Sequence, residues 1–166
     1  MYITHEEYEQ MYDSIDEKLF NRLCYDACRV MDIHTTGIDN VKKLKRFPPT
    51  DEDDAASVKH CTARIVSFLH QIQQTEVSAM ETHGVEVTSQ GMRGKVISSI
   101  SAGNESISYS TVGSTTTAVD AAVKDKTVRD RMVAEIVWEY LRGIRDANGV
   151  SLLFMGSYPR GYLYAD

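Results

Sequence analysis

From Ile15 an apolar residue returns at every fourth position: Ile15, Leu19, Leu23, Ala27 and Met31, with Phe20, Cys24 and Val30 on the adjoining stripe. That spacing lays one apolar face along an α-helix and fits no strand, so the chain must bury a long helix against something. Thr4 with Glu7, and Ser14 with Glu17, have the capping-box spacing, which predicts a short helix over about 5–12 and a long one over about 15–33. Gly37 ends the pattern, and a basic loop leads to Pro48-Pro49. Thr50 is the expected N-cap of a second long helix over about 51–83, carrying Ala55, Val58, Cys61, Ile65, Phe68, Leu69, Ile72 and Met80, with Gly84 as its stop. A third, over about 119–143, sets Val123, Met132, Val133, Ile136, Val137, Tyr140 and Leu141 on one side and closes at Gly143 or Gly149. Trp138, beside that face, reads as core or as a contact between subunits.

Between the second and third helices the character changes. Of the thirty residues 88–117, thirteen are Ser or Thr and four are Gly, with no helical period. Gly103-Asn104 has the signature of a two-residue hairpin turn. With those two as the loop, Ala102 pairs with Glu105, Ile100 with Ile107, Ser98 with Tyr109 and Val96 with Thr111, which gives one largely apolar face. A two-stranded ribbon is marginal in water by itself. Val96, Ile100, Ile107 and Tyr109 are therefore candidate partner-binding residues, leaning on the helices or on another chain. Residues 113–119 (GSTTTAV) read as a linker.

The tail, 150–166, holds Phe154, Met155, Tyr158, Tyr162, Leu163 and Tyr164, which is too apolar for a free disordered end. Either it folds back onto the helices, or it docks on another protein through Phe154, Met155, Tyr158, Tyr162 and Tyr164, residue types that interfaces favour. The fold class is mainly α. Residues 1–166 read as one domain, a small antiparallel helical bundle with an inserted Ser/Thr-rich β-hairpin or extended loop over 85–118 and an extended aromatic C-terminal tail.

Charge narrows the function classes. With 18 basic and 24 acidic residues the net charge is −6, which argues against a basic face for nucleic acid. Residues 1–32 carry −5 and residues 33–50 carry +3, the latter from Lys42, Lys43, Lys45 and Arg46 against Asp39. This basic loop reads as solvated surface. Asp51, Glu52, Asp53 and Asp54 open a helix, where the macrodipole favours acids. No apolar run is long enough for a membrane span, and the acidic N-terminus is unlike a signal peptide. The three cysteines read as free thiols in a reducing compartment.

A zinc site can be drawn from Cys24, Cys28, His60 and Cys61, but no CxxC knuckle preorganises it. Cysteine on an apolar stripe behaves as a small hydrophobe, which favours core packing. A small intracellular metal-binding enzyme built on those four residues is the alternative reading. No serine sits in a G-x-S-x-G turn, and no glycine pattern suits phosphate. The expectation is a protein with no catalytic residues, no metal and no cofactor.

Several stretches together carry a resemblance. YITHEEY at the start is followed by FNRLCYDACRVMDIHTTG over 20–37. Then come a long helix, a V-x-S…S-I-S-Y-S segment, a second long helix ending in Glu139-Tyr140-Leu141, and GVSLLFMG over 149–156. In order and spacing the chain resembles the head–tail connector proteins, the head-completion adaptors of long-tailed phages and of prophages in Gram-positive bacteria. The segment 85–118 is longer and more Ser-rich than that pattern. The resemblance implies antiparallel helices with an extended loop, and a closed ring of roughly twelve copies beneath the portal. It further implies a place in the virion neck after synthesis in the host cytoplasm. There the ring lengthens the DNA channel and carries a stopper or tail-completion protein. Its partners would be the portal protein, that stopper and further copies of itself, with genomic DNA only as cargo and no membrane. Another neck component, a stopper or tail terminator, is the nearest alternative.

Overall fold

The computed structural model describes the backbone of residues 1–88, 91–96, 99–102, 105–108 and 118–163, and the side chains of 1–77 and 118–162. Thr4 opens α1 (His5–Glu9): its hydroxyl accepts from the Glu7 N–H at 3.2 Å, while the Glu7 carboxylate accepts from the Thr4 N–H at 2.9 Å. The reciprocal bonds satisfy two donors that a helix start leaves open. The helix stops at Glu9, short of residue 12, because Met11 and Tyr12 both turn their N–H groups onto the Tyr8 carbonyl.

Asp16, and not Ser14, caps α2 (Glu17–Thr35): its carboxylate takes the N–H groups of Lys18 and Leu19 at 3.0 and 3.1 Å. The Ser14 hydroxyl is instead donated to Glu9. The four-residue repeat is buried as Leu23, Ala27 and Met31, with Phe20 and Cys24 beside it. The basic segment holds a further one-turn helix, α3 (Lys43–Arg46). α4 (Glu52–Thr82) is capped by Asp51, whose carboxylate accepts from Asp53 and Asp54 at 3.1 Å, so the cap lies one residue past Thr50. In both places an aspartate directly before the helix supplies charge as well as a hydrogen bond.

The expected helix over 119–143 is two: α5 (Ala118–Lys124) and α6 (Lys126–Leu141). Asp125 separates them by accepting the Thr127 N–H at 2.7 Å, a capping bond that restarts the helix. Gly143 follows α6 at φ +90°, a left-handed conformation that glycine adopts without strain. A last turn, α7 (Arg160–Leu163), lies in the tail.

Between α4 and α5 come β1 (His83–Thr88), β2 (Gly91–Val96), β3 (Ser99–Ala102) and β4 (Glu105–Ser108). β1 pairs antiparallel with β2, and β3 with β4. In the second pair Ile100 stands opposite Ile107 and Ala102 opposite Glu105. Val96 belongs to the other ribbon, opposite His83, so it does not continue the register of Ile100 and Ile107. α4 ends at Thr82, two residues before Gly84, which stands in β1 opposite Lys95. The Gly103-Asn104 turn, Tyr109, Thr111 and residues 113–117 lie outside the described residues.

The chain divides into two units, residues 1–70 with 130–166, and residues 71–129. Within the first, α2, the first part of α4 and most of α6 bury Met31, Ile65, Val66, Val137 and Leu141. Removing side chains of this size from water is worth about 1.5–3 kcal/mol each. Polar cross-links join the elements: the Thr62 hydroxyl reaches the Met31 sulfur at 2.9 Å, and Lys59 reaches Glu7 at 2.6 Å. Among the described residues no helix is long and apolar enough to cross a membrane.

Candidate functional site

The tail is tied into the first unit by a buried polar cluster. Lys43, only 1% exposed, extends its amine from α3 to the carbonyls of Ser151 (3.1 Å) and Phe154. Burial lowers the affinity of that amine for its proton, and the nearby charges of Asp146 and Asp39 oppose the shift. Tyr158, 3% exposed, stacks its ring on Phe47 with centroids 4.9 Å apart. Its hydroxyl donates to Asp146 and accepts from the Asn148 amide at 3.0 Å, while its N–H donates to Asp39. Burial, followed by the Asp146 bond, pushes the Tyr158 phenol up to about 12.

Asp146 also accepts the N–H groups of Asn148 and Val150, both at 2.9 Å. Main chain seals the joint: the Ile38 N–H donates to the Met155 carbonyl at 3.1 Å. A side chain at Gly37 would put its Cβ 2.3 Å from the Gly156 carbonyl oxygen, so only glycine fits there. Each polar group of this cluster is spent on a partner within the chain. The arrangement anchors the tail and holds nothing poised for proton transfer or nucleophilic attack.

The basic loop is accordingly not all solvated surface, since Lys43 is among the most buried side chains. The expected contact residues of the tail are placed differently from one another. Tyr158 is interior; Phe154, Met155 and Tyr162 are about half-exposed, and Tyr164 lies outside the described residues. Nothing is described of the Val96, Ile100 and Ile107 side chains, and Tyr109 lies outside altogether.

Two outward faces of the first unit carry large apolar side chains. On α2, Tyr25 is 66% and Ile33 60% exposed, two turns apart on one side of the helix with exposed Arg29 between them. On α6, Trp138 is 56% exposed, so it is not core. The Arg142 guanidinium sits 4.7 Å over its ring, and Arg131, Ala134, Glu135 and Glu139 line a shallow groove beside it. The groove belongs to a single helix and brings no nucleophile next to a base. Both faces hold large apolar side chains open to contact.

The residues of the drawn zinc site do not converge. Cys24 and Cys28 have their sulfurs 3.9 Å apart, Cys61 is fully buried in α4, and His60 is exposed. Among the described residues no group of three or more His, Cys, Asp or Glu is arranged to hold a metal. Burial pushes the Cys61 thiol up to about 12, which keeps it protonated and inert.

Lys43, Asp39 and Asp146 are the residues sequence reasoning missed. Lys43 and Ser151 are 108 positions apart, and no local spacing connects them. Asp146-Ala147-Asn148-Gly149 reads as a turn and was the one signal to be had. Set against protein-family models, curated proteins and solved structures, the chain matches none of them.

Proposed function

We propose that the chain is a structural adaptor of the phage neck. In this reading it docks as a ring on the portal protein, extends the DNA channel and presents a platform for the stopper or tail-completion protein. The helices form a small antiparallel bundle, and the Ser/Thr-rich hairpins and the outer side of the tail reach neighbouring subunits. DNA passes as cargo. A net charge of −6 suits a conduit, because attraction to phosphate would hold the genome back.

The order of helices, Ser-rich segment and glycine-bearing tail supports the family reading. The observation that carries the proposal is the pair of unlike faces on one unit, Tyr25 with Ile33 on α2 and Trp138 on α6. A closed ring is built from a heterologous interface, which needs two different patches on each chain. Large exposed aromatic and aliphatic side chains are the usual anchors of such contacts.

Charge substitutions test it. Trp138→Glu and Ile33→Glu should each leave a folded monomer that no longer assembles on the portal. Mixing the two variants should restore one contact per pair and yield dimers that cannot close. If both variants assemble as the unsubstituted chain does, these faces do not form the ring.

A further inference from the structure

Cys24 and Cys28 lie one turn apart on α2, with their sulfurs 3.9 Å from each other. Four residues of helix separate their Cα atoms by about 6 Å, inside the roughly 4.4–6.8 Å that a disulfide spans, while Cβ atoms one turn apart stand about 5–6 Å from each other, so closing the bond requires this turn of α2 to unwind locally. Cys24 is fully buried, whereas Cys28 is partly open to solvent. The N-terminal arm lies over the pair: the Cys24 S–H donates to the Ile3 carbonyl at 3.9 Å, and the Tyr2 main chain favours the charged form of Cys28. One turn further, the Tyr2 hydroxyl donates to Asp32. Two thiols in contact, one shielded and one reachable, match the layout of a reactive cysteine beside its resolving cysteine.

We propose that Cys24 and Cys28 form a hydroperoxide-reactive dithiol, in which Cys28 is oxidised first and Cys24 closes the disulfide within α2. The Cys28 thiolate attacks the terminal oxygen of the peroxide; the O–O bond breaks, and the departing oxygen takes a proton and leaves as water from hydrogen peroxide, or as the alcohol from an organic hydroperoxide. Cys28 is then a sulfenic acid. The Cys24 sulfur attacks the Cys28 sulfur, the S–O bond breaks, and hydroxide leaves with the Cys24 proton as water. Two thiols have given two electrons to the peroxide. The order follows from the surroundings. The contact with Cys24 lowers the Cys28 thiol, with the Tyr2 main chain assisting and burial and Asp32 opposing. Its partner is raised by the same contact and by burial. Closure removes the S–H that reaches Ile3, so the N-terminal arm loses that anchor.

The test uses the full chain with hydrogen peroxide, followed by alkylation and tryptic digestion. Arg22 and Arg29 flank the pair, so one peptide, residues 23–29, holds both cysteines. That peptide should lose about 2 Da and escape alkylation, while Cys61 stays reduced. Cys24→Ser should stop at a sulfenic acid trapped by dimedone, and Cys28→Ser should react about tenfold more slowly than wild type or less. Oxidation of Cys61 at the same rate, or a 23–29 peptide left fully alkylated, overturns the proposal. Those two readouts come from the unsubstituted chain and stand even where a serine variant misfolds.

Discussion

Two tyrosine–aspartate bonds hold the two ends of the chain, and they differ in one respect. Tyr2 donates to Asp32 and fastens the N-terminal arm to α2; Tyr158 donates to Asp146 and fastens the tail. α3 supplies a lysine to each. Lys45 reaches Asp32 at 2.6 Å with 57% of its side chain in solvent, whereas Lys43 is 1% exposed and reaches main-chain carbonyls of the tail. The tyrosine–aspartate chemistry is the same, and the exposure of the two lysines is not. The two aspartates are almost equally buried, Asp32 at 8% and Asp146 at 5%, but Lys45 stands in solvent, which screens its ion pair so that the pair contributes little. Asp146 accepts three hydrogen bonds, from the Asn148 and Val150 N–H groups and the Tyr158 hydroxyl, so its removal takes a partner from all three at once.

The largest effect should therefore come from Asp146→Ala, which orphans the Asn148 and Val150 N–H groups and the Tyr158 hydroxyl. Urea unfolding should show a loss of about 3 kcal/mol or more. Tyr158→Phe keeps the stacking on Phe47 but strips the hydroxyl from Asp146 and Asn148, with an expected cost of about 1–2 kcal/mol. It also carries a pH signature. Tyr158 holds its proton up to about 12 in the folded chain, above the unfolded value of about 10. Its contribution is complete below the unfolded value and is lost as pH rises through the folded one. Stability measured from pH 10 to 12 should fall more steeply in wild type than in Tyr158→Phe.

Asp32→Ala should cost only about 1 kcal/mol in the same urea experiment. A loss equal to that of Asp146→Ala would break the contrast between the two ends. Smallest of all is Lys45→Met. Any shift it causes in the urea midpoint should disappear in concentrated salt, and a shift that survives salt would mean the pair is not solvent-screened.

Local pattern made part of this legible. The four-residue repeat from Ile15 marks the stripe that α2 buries, and the Thr4–Glu7 spacing marks the cap of α1. Both depend on neighbours within one or two turns. Ser14 and Thr50 were poorer guides, because Asp16 and Asp51 compete for the same N–H groups from a position nearer the helix. Asp125 interrupts a helix without interrupting its apolar period, so periodicity had nothing to register.

The tail cluster was beyond local pattern altogether. Whether a lysine in a run of four basic residues lies in solvent or inside depends on carbonyls more than a hundred positions away. Tyr158 likewise needs Asp39 and Asp146, which only the folded chain assembles. On the outward faces, Tyr25 and Ile33 sit eight apart off the main stripe, a signal too sparse to stand out beside the core repeat.

The adaptor reading rests on the outward faces and is tested most directly by light scattering coupled to size-exclusion chromatography, over a range of protein concentration, with and without the portal protein encoded nearby. The account predicts a free chain that is monomeric or weakly associated, and a ring that forms at high concentration or elutes together with the portal. A species whose mass changes with neither concentration nor portal would contradict it.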